Sequence, residues 1–89
     1  MIKVKKMILD ILKPHQPNAL EFASALAEKG NDMQVTLIVE AVDEKTESVV
    51  VKVEGNDINF EHLTERIKEL GASVHSIDEV QVINDYQPK

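Results

Sequence analysis

A two-layer α+β fold, with two helices on one face of a four-stranded antiparallel sheet, follows from three features of the chain. Four strand-like runs and two runs with helical spacing occur in the order β-α-β-β-α-β. The two middle strands are separated only by Asp43-Glu44-Lys45-Thr46-Glu47, a polar stretch of hairpin length. Pro14, Gly30, Gly55 and Gly71 stand at element boundaries and nowhere inside them. With 89 residues the chain has the length of one domain, whose small core gains stability if copies associate.

Residues 2 to 13 alternate as a strand, and Pro14 ends it by forcing Lys13 into an extended conformation and removing a ladder donor. Asn18 followed by Glu21 reads as an N-cap with its capping-box partner. Ala19, Phe22, Ala23 and Leu26 then repeat at helical spacing until Gly30, which bounds a helix at about 19 to 29. Met33 to Val42 and Ser48 to Glu54 are the β-branched runs of the hairpin. Gly55-Asn56-Asp57 breaks the second run. Asn59 caps a helix whose Phe60, Leu63, Ile67 and Leu70 form one stripe, and Gly71 closes it. A last strand from about Ser73 to Ile83 completes a single domain over residues 1–83. Asn84 to Lys89 lacks apolar periodicity and is expected to form a mobile tail.

This order is the split β-α-β arrangement of ferredoxin-like folds. Right-handed crossovers put strands one and three in the centre, strand four beside one and strand two beside three, a 4-1-3-2 sheet.

The strands have more apolar residues than one covered face requires. Strand one offers Met7, Leu9 and Ile11 to one side and Ile8 and Leu12 to the other. Strand two sets Val35, Leu37 and Val39 against Ile38 and Val42, and Val50 interrupts the alternation of Val49, Val51 and Val53. Two helices cover one side only. The patch Ile8, Leu12, Ile38, Val42 and Val50 is therefore expected to be an interface in a homo-oligomer.

Composition excludes several function classes. Ten Lys and Arg against sixteen Asp and Glu give a net charge of -6, and only Phe22, Phe60 and Tyr86 are aromatic, so phosphate neutralisation and base stacking are poorly served and nucleic acid is not expected as a partner. The absence of Cys removes disulfides and thiolate sites and points to the cytoplasm. The apolar run after Met1 is broken by Asp10 and Lys13, too early for a signal sequence or a membrane span.

Two segments have polar residues set into apolar strands: Leu9-Asp10-Ile11-Leu12-Lys13-Pro14-His15-Gln16-Pro17 and Val74-His75-Ser76-Ile77-Asp78-Glu79-Val80. Antiparallel pairing of strands one and four brings both to one end of the sheet, where the hairpin contributes Glu40, Asp43, Glu44 and Glu47. Imidazole with carboxylate suits a divalent ion such as Zn, Cu(II), Ni or Mn, and carboxylates alone suit Ca or Mg. The candidate ligands are His15, His75, Asp10 and Asp78. Since no His-x-x-x-His, His-Glu-x-x-His or calcium-loop spacing is present, such a site has to assemble from separate strands or separate subunits.

Each of these residues also has a structural role open to it. His15, between two prolines, can bond a helix end, and His75 can be a satisfied strand residue; His62 belongs on the solvated first turn of the second helix. A buried unpaired Asp10 would cost several kcal/mol, to be offset by Lys13, Lys6 or a backbone donor. Ser24, Ser48, Ser73 and Ser76 lack a nucleophile elbow, and the isolated Gly30, Gly55 and Gly71 do not cradle phosphate. Binding is expected rather than catalysis. The alternative to metal binding is a regulatory or scaffolding module that takes a small metabolite or partner between subunits.

The Leu-Lys-Pro-His and His-Ser-Ile-Asp-Glu-Val segments, with Glu54-Gly55-Asn56-Asp57-Ile58-Asn59-Phe60 and Glu69-Leu70-Gly71, resemble a small archaeal family named as domain of unknown function 211, up to about Ile83. The resemblance implies a ferredoxin-like fold, ring-like homo-oligomers and an archaeal cytoplasmic source, and it implies no particular activity. His62, where relatives are expected to be acidic, and Gly30-Asn31-Asp32-Met33, ahead of strand two, depart from the family pattern.

Overall fold

The computed structural model of the chain describes residues 1–86. Six elements follow one another: β1 (Ile2–Pro14), α1 (Ala19–Ala27), β2 (Gln34–Val42), β3 (Thr46–Glu54), α2 (Phe60–Glu69) and β4 (Ser73–Asn84). All strand pairs are antiparallel and the sheet order is β2-β3-β1-β4, the ferredoxin-like arrangement that the element order requires. The sequence expectation of a 4-1-3-2 sheet holds.

Local chemistry explains the element ends. Asn18 accepts from the Glu21 amide while the Glu21 carboxylate accepts from the Asn18 amide, at 2.9 and 3.0 Å, so two orphan donors of α1 are satisfied. The helix ends at Ala27, shorter than the expected 19 to 29, because Lys29 and Gly30 donate three residues back, to Leu26 and Ala27, in a tighter turn. The hairpin is also tighter than expected. Asp43 donates to Thr46 at 2.8 Å, so β3 begins at Thr46 rather than Ser48. Gly71 follows α2 at φ +81°, a left-handed conformation that a residue with a Cβ adopts only with strain, and it turns the chain into β4.

The core lies between the helices and one side of the sheet. Met7, Leu9 and Ile11 of β1 and Val49, Val51 and Val53 of β3 meet Phe22 and Leu26 of α1 and Leu63 and Ile67 of α2, with Ile58 and Ala72 closing the ends. Val35, Leu37 and Val74 from the edge strands pack against them, half-buried. No helix among the described residues is long and apolar enough to cross a membrane.

β4 reaches Asn84, one residue beyond the expected strand. Asp85 is tied back to the start of β1, its amide donating to the Met1 carbonyl at 2.7 Å and its carboxylate pairing with Lys3 at 2.9 Å. Of the expected tail at 84–89, residues 87–89 lie outside the described residues.

Candidate functional site

The register fixes what the uncovered side of the sheet presents. Ile38, Val50, Asp10 and Ser76 form one row across the four strands; Ala41, Ser48, Leu12 and Ser73 form the next, and Thr36, Lys52, Ile8 and Glu79 lie on the other side. Beyond them come Gln34, Glu54, Lys6 and Gln81, where Lys6 pairs with Glu79 at 2.7 Å and Lys52 with Glu54 at 3.6 Å. The result is an apolar patch of Ile8, Leu12, Ile38 and Val50, charged along one side, with Asp10 at its centre. Ile38 is 57% exposed and Leu12 42% exposed, since no layer among the described residues covers them.

Val42 does not belong to that patch. The register shifts between Val39 and Ala41, so Glu40 is an extra residue and Val42 comes opposite Glu47, on the side to which Lys13 points. The expectation for Val42 is corrected by this bulge. The other four expected patch residues share one face as anticipated.

Asp10 and His75 line one groove of about 290 Å³ together with Ile11, Leu12 and Ser48. It crosses β1 from β4 to β3. A second register shift brings His75 there: Asp10 pairs with Ser76 and Ile11 with Val74, so His75 is the extra residue of a bulge, and bulges re-aim side chains. Asp10 is half-buried, and neither its side chain nor that of His75 has a hydrogen bond or ion pair with another described residue. The cations offered for Asp10 are engaged elsewhere, Lys6 with Glu79 and Lys13 on the opposite face of the sheet. Asp78 is the extra residue of a further shift between Ile8 and Leu9, and its carboxylate accepts from the Ser76 hydroxyl at 2.7 Å.

The second polar cluster closes the corner after β1. Lys13 continues the inward series Met7, Leu9, Ile11 and is fully buried, with its ammonium 5.9 Å from the centre of the Phe22 ring. Its Nζ donates to the Pro14 carbonyl at 2.8 Å and to Glu47 Oε1 at 3.1 Å. His15 Nδ1 donates to Glu47 Oε2 at 3.0 Å and Nε2 donates to the Glu44 carbonyl at 2.9 Å. Both partners of the ring are acceptors, so both bonds exist together only in the imidazolium form. The Glu47 carboxylate, helped by the Glu44 carbonyl, accordingly raises the His15 pKa above its ordinary 6.5. Glu47 is held below its ordinary value by the bond from His15 first and that from Lys13 second. The network pins the β2–β3 hairpin to the end of β1.

His15 and His75 therefore lie at the same end of the sheet but on opposite flanks of β1. The turn into β4 does touch the β1 corner, since a Cβ on Gly71 would stand 3.6 Å from Pro14 Cγ. Both ring nitrogens of His15 are occupied, and Glu47 is committed to Lys13 and His15. The expected convergence of His15 with His75 and the carboxylates on one centre is corrected accordingly: among the described residues, no group of three or more His, Asp or Glu side chains is placed to hold a metal ion. Glu40 and Asp43 are exposed near the hairpin, Glu40 at its bulge. His62 is exposed on the first turn of α2, where its amide donates to Asn59. The Lys13–Glu47–His15 network is the element that sequence reading missed, although Lys13 follows the inward alternation of β1.

Fold and groove define a small acidic ferredoxin-like domain that sets a histidine and a carboxylate into its open sheet face. The profile of the family DUF211, described as "Uncharacterized ArCR", matches residues 5–85, and the chain belongs to that family. It is also similar to the uncharacterised protein MJ0319 of Methanocaldococcus jannaschii, 42% identical over 77 residues that cover 86% of this chain and 79% of the relative.

Proposed function

We propose that this protein is a cytoplasmic homo-oligomeric binding module, not a catalyst, whose copies meet through the open face of the sheet and whose ligand is a divalent metal ion at the Asp10–His75 groove. The observation that carries this reading is the apolar patch of Ile8, Leu12, Ile38 and Val50 around a carboxylate that has no partner among the described residues. Four rows by four strands make a face of about 27 by 19 Å, roughly 500 Å² per copy and 1,000 Å² in a pair, which reaches the smallest area a specific interface needs. The charged pairs along one side of the patch fit an interface with an apolar centre and a polar rim. A contact between identical faces closes at a pair, so the ring-like assembly of an archaeal protein that the family resemblance implies would require a second, head-to-tail contact elsewhere on the surface.

Light scattering and elemental analysis of untagged protein test the two halves of the reading separately. A mass above that of one chain is expected at micromolar concentration, together with metal that chelator removes. A monomer refutes the interface, and metal-free protein that takes up no Zn, Ni or Mn refutes the ligand. One specific observation favours the alternative of a regulatory or scaffolding module with structural histidines: His15 is fully used within the fold. That module would assemble without metal and bind a small metabolite or partner between subunits.

A further inference from the structure

A single chain contributes one imidazole and one carboxylate to the groove, short of the four ligands that structural Zn sites have. Both groups belong to a face that, on the reading above, meets the same face of a second copy. A contact between identical faces is related by a two-fold axis, so whatever one copy supplies near that axis is supplied twice. Asp10 occupies the middle of the patch, on central strand β1, between Val50 and Ser76. Closing two such faces without a cation would bring two carboxylates together in an apolar contact, and neither is paired with a counter-charge among the described residues of its own chain. A divalent ion between them removes that cost.

We propose that a divalent transition-metal ion, with Zn as the fitting example, is held between two copies of this chain by Asp10 and His75 of each. The inference rests on the open sheet face being the contact between copies. Two imidazole nitrogens and two carboxylate oxygens form a borderline set that suits Zn, Ni or Cu(II) over Ca or Mg, which prefer all-oxygen shells. The pair is mounted on rigid strands, and the bulge at His75 provides its aim. The metal ties assembly to metal supply.

The test uses the full untagged chain, stripped with chelator and titrated with zinc chloride in a calorimeter, with sedimentation velocity run before and after loading. One Zn per two chains is expected, with a gain in mass or in self-affinity on loading. Asp10→Asn and His75→Gln should each weaken Zn binding by at least about tenfold, a loss that even outer-shell partners of a metal cause. Zn bound one per chain with unchanged association, or bound equally by both variants, overturns the shared site. An assembly that ignores Zn but dissociates on Ile38→Lys overturns it too while leaving the sheet-face contact standing. A monomer with and without Zn removes the contact and the shared site together.

Discussion

Replacing Ile38 by Lys probes the sheet-face contact where its energetic share can be worked out. Burying a whole isoleucine side chain contributes about 1.5–3 kcal/mol. Ile38 has 57% of its surface still exposed in one chain, so closing the contact over it gains about 0.9–1.7 kcal/mol per copy and about 1.8–3.4 kcal/mol from the two copies of a two-fold pair. At 1.4 kcal/mol for each factor of ten, losing this term raises the dissociation constant by about 20- to 270-fold, before any cost of desolvating the new ammonium. Sedimentation equilibrium across a concentration series reads that change directly. Val42→Lys is the control, because Val42 is also exposed but lies on the other side of the sheet, opposite Glu47. An Ile38→Lys protein that associates like the unmodified one, or a Val42→Lys protein that dissociates equally, would refute the assignment of the interface to this face.

Stability should depend on pH through the corner network. His15 is held above 6.5, so its bonds stabilise the fold fully below that value and are lost as pH rises through the raised pKa; Glu47 is held below 4.5, so its share is full above that value and is lost as pH falls through the lowered pKa. The melting temperature of the unmodified protein should exceed that of His15→Gln most between pH 4.5 and 6.5 and lose this advantage at alkaline pH, and a constant gap across the series would count against the imidazolium clamp. Glu47→Ala leaves the buried Lys13 ammonium without its carboxylate and should lower the urea midpoint, while adding Lys13→Met should restore part of the loss, because removing both members of a buried pair costs less than removing one. No recovery in the double variant would show that Lys13 is held chiefly by the Pro14 carbonyl and Phe22. Gly71→Ala should cost about 1–2 kcal/mol in denaturant unfolding, since it forces a Cβ into a left-handed conformation. Phe22→Ala should cost about 3–5 kcal/mol, because that ring is fully buried between α1 and the sheet. Losses below half of these values would place the strain or the packing elsewhere.

Alternation, caps and breakers determined the architecture, because each acts over a few residues and leaves its mark in the sequence. The period-two pattern of Met7, Leu9 and Ile11 sets the inward face of β1; Asn18 with Glu21 starts α1, and Gly71 ends α2. The patch of Ile8, Leu12, Ile38 and Val50 was legible for the same reason. Tertiary structure decided which polar residues meet. The register shifts at Glu40, His75 and Asp78 fall on edge strands with much exposed surface, where burial constrains the pattern weakly, and each shift changes which neighbour a side chain faces. They moved Val42 off the patch and placed His75 beside Asp10. Lys13 shows the same division: alternation placed it inward, but only the folded hairpin brings Glu47 within 3.1 Å of its ammonium and draws His15 away from His75. Such pairings join residues more than thirty positions apart, and nothing local in the chain specifies them.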